Sequence, residues 1–120
     1  MNWRPDRNRP IGEQICEHVC TQIASGAWQP HTRLMSVRDT AAAMGVNPNT
    51  VQHTFTLLEQ QGVLYSVHNT GWYVGEDITV AKERVRQLAR DKTAAFFAEM
   101  SNLGLSAEAV KHYVEEWRYE

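Results

Sequence analysis

The stretch Ser36–Tyr65, SVRDTAAAMGVNPNTVQHTFTLLEQQGVLY, decides how this chain folds. Ser36 stands three residues before Asp39, the pattern of a helix N-cap with an acid in the first turn. Val37, Ala41 and Met44 give a short helix one apolar side, and Gly45 stops it. Asn47 is a second N-cap, and Pro48 suits the first helical position, where a missing N–H costs nothing. Val51, Phe55 and Leu58 then repeat as a buried stripe that ends before Gly62. The stretch reads as two helices joined by a tight turn.

Working outward, RPIGEQICEHVCTQIASGAW (residues 9–28) places Ile11, Ile15, Val19 and Ile23 at steps of four, one face of a helix closed by Ser25-Gly26. The segment QPHTRLM (29–35) is a connector. Downstream, VLYSVHNTGWYVG (63–75) has strand-forming residues on both sides of His68-Asn69-Thr70-Gly71 and predicts a hairpin. Helix, helix, helix, hairpin is the order of a winged helix-turn-helix, assigned to residues 1–77. The expected fold class is mainly α (α+β).

From Ile78 the pattern changes, and residues 78–120 are read as a tail of two helices. Val85, Leu88, Phe96, Met100 and Leu103 fall on or near one side, with a break in the pattern around Lys92-Thr93. Gly104 predicts a C-cap and Ser106 the next N-cap. Val110, Tyr113, Val114 and Trp117 then follow at i, i+3, i+4, i+7. Two helices cannot hide such faces from water alone. The faces are assigned to dimerisation with a second copy, the alternative being a brace against the winged domain.

Composition bounds the function classes. A hydrophobic fraction of 42% and a charged fraction of 22% are those of a globular chain. No run of about 18 apolar residues predicts a membrane span, and the start MNWRPDRNRP lacks the apolar core of a secretion signal. A cytoplasmic location is the default expectation. Cys16 and Cys20 lie four apart on the first helix, poorly placed for a relaxed disulfide and without a second Cys/His pair to complete a metal set. Buried thiols, no metal and no cofactor are expected. No Ser/His/Asp set, carboxylate pair or phosphate loop points to an enzyme.

The formal net charge is −2, and all of it falls in the front half, where five Arg face seven acids. Between Arg38 and Lys82 there is no Lys or Arg at all. That argues against strong nonspecific affinity for a polyanion.

The segments RPIGEQI, QIASGAWQP, SVRDTAAAMGVNPNTVQHTFTLLEQQGVLY and GWYV resemble the GntR family of bacterial transcription regulators along nearly the whole chain. The short tail ending LGLSAEAVKHYVEEW is similar to the YtrA-like subfamily. The resemblance implies an operator-binding repressor, acting as a homodimer on a palindromic operator and often controlling a transporter operon. It implies no fused aminotransferase domain in a chain of this length. Family DNA contacts carry over to Arg38, Asn47, Pro48, Asn49, Thr50 and Gln52, with a wing tip of His68, Asn69, Thr70 and Gly71. The chain departs from the family pattern in three places. The connector holds His31, Thr32 and Met35, Pro48 stands where relatives carry Arg, and the wing lacks the usual basic residues.

The chemistry of these residues supports the carry-over. A helix N-terminus offers unpaired N–H groups and partial positive charge to phosphate. With Val51, Phe55 and Leu58 inward, Asn49, Thr50, Gln52, His53 and Thr56 point partly outward, and Gln52 has the groups to pair bidentately with adenine. Arg4, Arg7 and Arg9 form either an arm toward DNA or a solvated start. His53 and His68 predict operator affinity that rises as pH falls. Trp72 packs on the first helix or lies exposed. An aromatic cleft using Trp28, Tyr113 or Trp117 is open to an unknown small-molecule effector, expected between subunits or under the tail. The competing reading is a winged-helix protein-interaction module with weakened or lost DNA binding.

Overall fold

A computed structural model describes residues 3–119. In chain order the elements are α1 (Ile11–Ala24), α2 (Val37–Met44), α3 (Pro48–Gln60), β1 (Leu64–Val67), β2 (Gly71–Val74), α4 (Thr79–Asn102) and α5 (Ala107–Glu116). The chain divides into two compact units, Met1–Val85 and Arg86–Glu120. The division falls within α4, eight residues beyond the expected 77/78 boundary. The reason is burial: Ile78, Ala81 and Val85 pack on the core of the first unit.

The caps predicted from sequence form as written. Ser36 accepts the Asp39 N–H at 3.0 Å, and Asn47 Oδ1 accepts the Asn49 N–H at 2.8 Å. Gly45 takes φ +68°, a left-handed turn that a side chain would strain, and so sets the direction in which α3 leaves α2. The core joins Ile15, Val19 and Ile23 of α1, Ala41 and Met44 of α2, and Val51, Phe55 and Leu58 of α3. Burying a side chain the size of Phe55 removes it from water at a gain of roughly 2–3 kcal/mol. Cys16 and Cys20 are buried free thiols in this core, and burial pushes Cys20 up to about 11. Thr40 and Thr54 are also buried, which the apolar pattern missed. Their hydroxyls donate to the carbonyls of Met35 (3.3 Å) and Thr50 (2.8 Å), so neither is left unpaired.

The hairpin pairs β1 and β2 antiparallel, with Leu64 opposite Val74 and Val67 opposite Gly71. The turn is therefore His68-Asn69-Thr70, with Asn69 at φ +59°, and Gly71 belongs to β2. The connector is more than a link. His31 and Leu34 donate N–H bonds to the Val74 and Trp72 carbonyls, both at 2.8 Å, and Val74 donates back to Thr32 at 2.9 Å. Residues 31–34 thus line the free edge of β2, an arrangement that covers exposed strand groups. Trp72 is half-buried against the core and meets Phe55 of α3 edge-on, with ring centroids 5.6 Å apart. Gly75 sits so close to the turn after α3 that a Cβ there would fall 2.5 Å from the Gly62 carbonyl oxygen.

In the second unit α4 runs on through Lys92-Thr93 without a break, and the Thr93 hydroxyl donates to the Ala89 carbonyl at 2.7 Å. Gly104 takes φ +85°, and Ser106 caps α5 through the Ala109 N–H at 3.2 Å. Val110 is fully buried within a single chain, while Leu103, Tyr113, Val114 and Trp117 stay more than half exposed. Of the residues assigned to dimerisation, Val85 is half-buried against the winged core and Val110 is buried in the single chain. No helix of the described residues is long and apolar enough to cross a membrane.

Candidate nucleic-acid interface

The exposed end of α3 is built from its cap outward. Asn47 spends its side-chain oxygen on the Asn49 N–H, so the amide group of Asn47 is the part left facing solvent. Pro48, Asn49, Gln52 and His53 are exposed and Thr50 is half-buried, while Val51, Thr54 and Phe55 turn inward. The Gln52 amide rests on the Thr56 hydroxyl at 3.3 Å, and that hydroxyl donates to the Gln52 carbonyl at 2.9 Å. Gln52 is thereby held along the helix surface, with its remaining amide groups free to meet a base edge.

The candidate cations of the first unit come from three separate elements. Arg38 on α2 is exposed, and among the described residues nothing pairs with it. Arg7 reaches across from the chain start and donates from Nη2 to the Gly45 carbonyl at 2.9 Å. This fixes a guanidinium on the turn just before α3. The start is held in place by buried Gln14, which accepts the Asp6 N–H at 2.7 Å and donates to the Asp6 and Arg9 carbonyls. Of the two readings of Arg4, Arg7 and Arg9, the arm is an ordered one, but Arg9 is spent on an ion pair with Glu17. Only Arg4 and Arg7 keep charge to offer.

The third cation is Arg33, which the sequence pattern did not single out. Its backbone bridges to Tyr73 of β2, and its guanidinium lies over Gly71, about where a side chain there would begin. No carboxylate among the described residues pairs with it. The wing itself carries no Lys or Arg, so the connector supplies the cation that the hairpin lacks. No local pattern in His31-Thr32-Arg33-Leu34 marks this stretch as an edge segment.

At the wing tip His68, Asn69 and Thr70 are exposed, and the Thr70 hydroxyl donates to the His68 carbonyl at 3.3 Å. Glu59 fixes the hairpin to α3 by accepting from the Ser66 N–H (3.0 Å) and hydroxyl (2.7 Å). The first unit thus holds Arg7 on the turn before α3, with Arg38 exposed on the preceding helix. The wing residues sit on a separate hairpin that Glu59 ties back to α3 and the connector edges along β2. Among the described residues no group of His, Cys, Asp or Glu is placed to hold a metal ion.

Comparison with known proteins places this arrangement. Residues 11–74 match the family described as "Bacterial regulatory proteins, gntR family". The regulator YdcR of Escherichia coli is 41% identical over 67% of this chain, which spans only 17% of that protein. YhcF of Bacillus subtilis is 30% identical, with 84% of each protein covered. The repressor YtrA of Bacillus subtilis is 29% identical over 93% of this chain and 87% of its own length. Among solved structures, a GntR family transcriptional regulator from Listeria monocytogenes has a TM-score of 0.75 at 33% identity, covering 95% of this chain and all of its own. The DNA-binding domain of AraR in complex with operator ORX1 has a TM-score of 0.54 at 27% identity, covering 56% of this chain and 81% of its own.

Proposed function

We propose that this chain, which belongs to the GntR family of bacterial transcription regulators and is YtrA-like within it, is a homodimeric repressor that reads a palindromic operator with α3. The family is one of regulators and not of enzymes. The observation that carries the proposal is the α3 N-terminus, which leaves Asn49 and Gln52 exposed and Thr50 half-buried, with the Arg7 guanidinium held on the Gly45 carbonyl just before it and Arg38 exposed on α2. Asn47, Pro48, Asn49 and Thr50 face the backbone and the first base edges, Gln52 reads a base, and His53 lies toward phosphate. Arg7 and Arg33 hold the flanking phosphates, and His68, Asn69, Thr70 and Gly71 lie along the adjacent groove. That relatives of this fold have been captured on operators supports the reading.

Dimerisation supports it from the other unit. Phe96, Leu103, Tyr113, Val114 and Trp117 expose apolar surface on the second unit, and Leu88 and Met100 are half-buried there. Phe96, Tyr113, Val114 and Trp117 line one open depression of about 440 Å³. Two such faces closing on each other bury what a single copy leaves wet, and they place two α3 helices for half-sites about one helical turn or more apart. Three guanidinium groups per protomer give a dimer a log–log salt slope of about −5. Control of a transporter operon and a place in the cytoplasm complete the proposal.

The test is a gel shift on the gene's own upstream region, run beside an unbiased selection of duplexes. The account expects a retarded complex that Arg38→Ala weakens. A failure to bind in either format returns the reading to a protein-interaction module, which the acidic front half favours.

A further inference from the structure

Trp28 lines a cavity of about 490 Å³ wholly inside the first unit. Trp3 stacks on His18 at 5.0 Å and 20°, and Trp28 meets the same imidazole edge-on at 5.9 Å. Phe55, Val19 and Met44 are buried residues of its lining, while Arg33 and Met35 are exposed ones. A cavity of this size falls in the range of small-molecule sites, which are apolar with a few placed polar groups.

Beside neutral Gln22 and Thr40, its lining carries charge of one sign only. Arg33 is the sole permanently charged residue among those lining it, and no Asp or Glu is present. Neither the Arg33 guanidinium nor the His18 ring nitrogens have a hydrogen-bond partner among the described residues. Flat walls of indole and imidazole suit a planar ring, and an unpaired guanidinium suits a carboxylate, which it grips bidentately.

We propose that this cavity binds a small planar aromatic carboxylate, its ring between Trp28 and the Met35–Met44 side and its carboxylate on Arg33. The tail depression, lined by Phe96, Tyr113 and Trp117, is a separate surface kept for the second copy. Because Arg33 also lies over Gly71 of the wing, an occupant would withdraw that cation from phosphate and act as an effector. This last role rests on the DNA-binding reading. The site itself does not, and its test uses no DNA.

The experiment is a two-dimensional NMR titration of the full chain with indole-3-acetate, indole and tryptamine. The expected result is perturbation of the Trp3 and Trp28 indole N–H signals and the Met35 and Met44 methyls, strongest for indole-3-acetate and weakest for tryptamine. Arg33→Gln, a surface change that spares the core, should weaken indole-3-acetate about tenfold and leave indole unchanged, the size of one charged hydrogen bond. Trp28→Leu should weaken both. The proposal is overturned if the three probes bind equally, if Arg33→Gln leaves the carboxylate's affinity intact, or if only Trp117 and its neighbours respond.

Discussion

The two units of the chain solve the problem of apolar surface in opposite ways. In the first, α1, α2, α3, the hairpin and the segments beside them turn fifteen buried residues toward one another and close the core within a single copy. In the second, Val110 alone is fully buried among the described residues, and Trp117, Tyr113, Val114 and Leu103 remain in water. A finished core needs no partner, whereas a half-finished one does. On this difference rests the proposal that the unit closed by itself recognises DNA and the unit that is not closed associates with a second copy.

The sharpest way to break this contrast is to cut into the finished core. Phe55→Ala should cost about 3–5 kcal/mol in urea denaturation of the whole chain. A loss under about 1 kcal/mol would mean that the core is not closed as described. Next is the unfinished face: Trp117→Ala together with Tyr113→Ala should weaken the dimer by about 2 kcal/mol or more, seen by analytical ultracentrifugation. The fold of the winged unit should be untouched. An unchanged association constant would remove the tail from the interface.

Smaller effects separate the groups that read from those that hold. Gln52→Ala should cost about 1–3 kcal/mol on the selected operator and relax preference at a single base position. Arg33→Gln should weaken all duplexes alike and reduce the salt slope of the dimer, because it removes a phosphate contact from each protomer. Preference lost at one base only would make Arg33 a reader.

The pH dependence of stability is smaller again and has two limbs. Burial lowers the His18 pKa, so the unfolded chain takes up a proton first, and stability should fall as pH drops below about 6.5. Burial raises Cys20 to about 11, so the folded chain keeps its proton longer, and stability should fall as pH rises from about 9 toward 11. Denaturation midpoints from mildly acidic to strongly alkaline pH check both limbs. His18→Phe should flatten the acid limb and leave the alkaline one.

What the sequence disclosed follows the same division. Ser36, Gly45, Asn47, Pro48 and Gly104 act within a few residues of themselves, so their capping roles were legible from residue type and spacing alone. The winged core was legible too, since Val51, Phe55 and Leu58 obey a helical period. Contacts across long stretches of chain were not. Nothing local says that Arg7 bonds to Gly45, that residues 31–34 edge the hairpin, or that Trp72 turns to Phe55. Val110 shares the period of the tail stripe, yet period alone could not say that its own chain buries it. The exposed end of α3 was legible by residue type, but the cation beside the wing was hidden in the connector.

Backbone NMR of the chain with a duplex recovered by selection tests the central claim most directly. Shifts should concentrate on Asn49, Thr50 and Gln52, with Arg38 and Arg33 alongside and smaller changes at His68 and Asn69. A duplex that perturbs α4 and α5 instead, leaving the start of α3 silent, would contradict it.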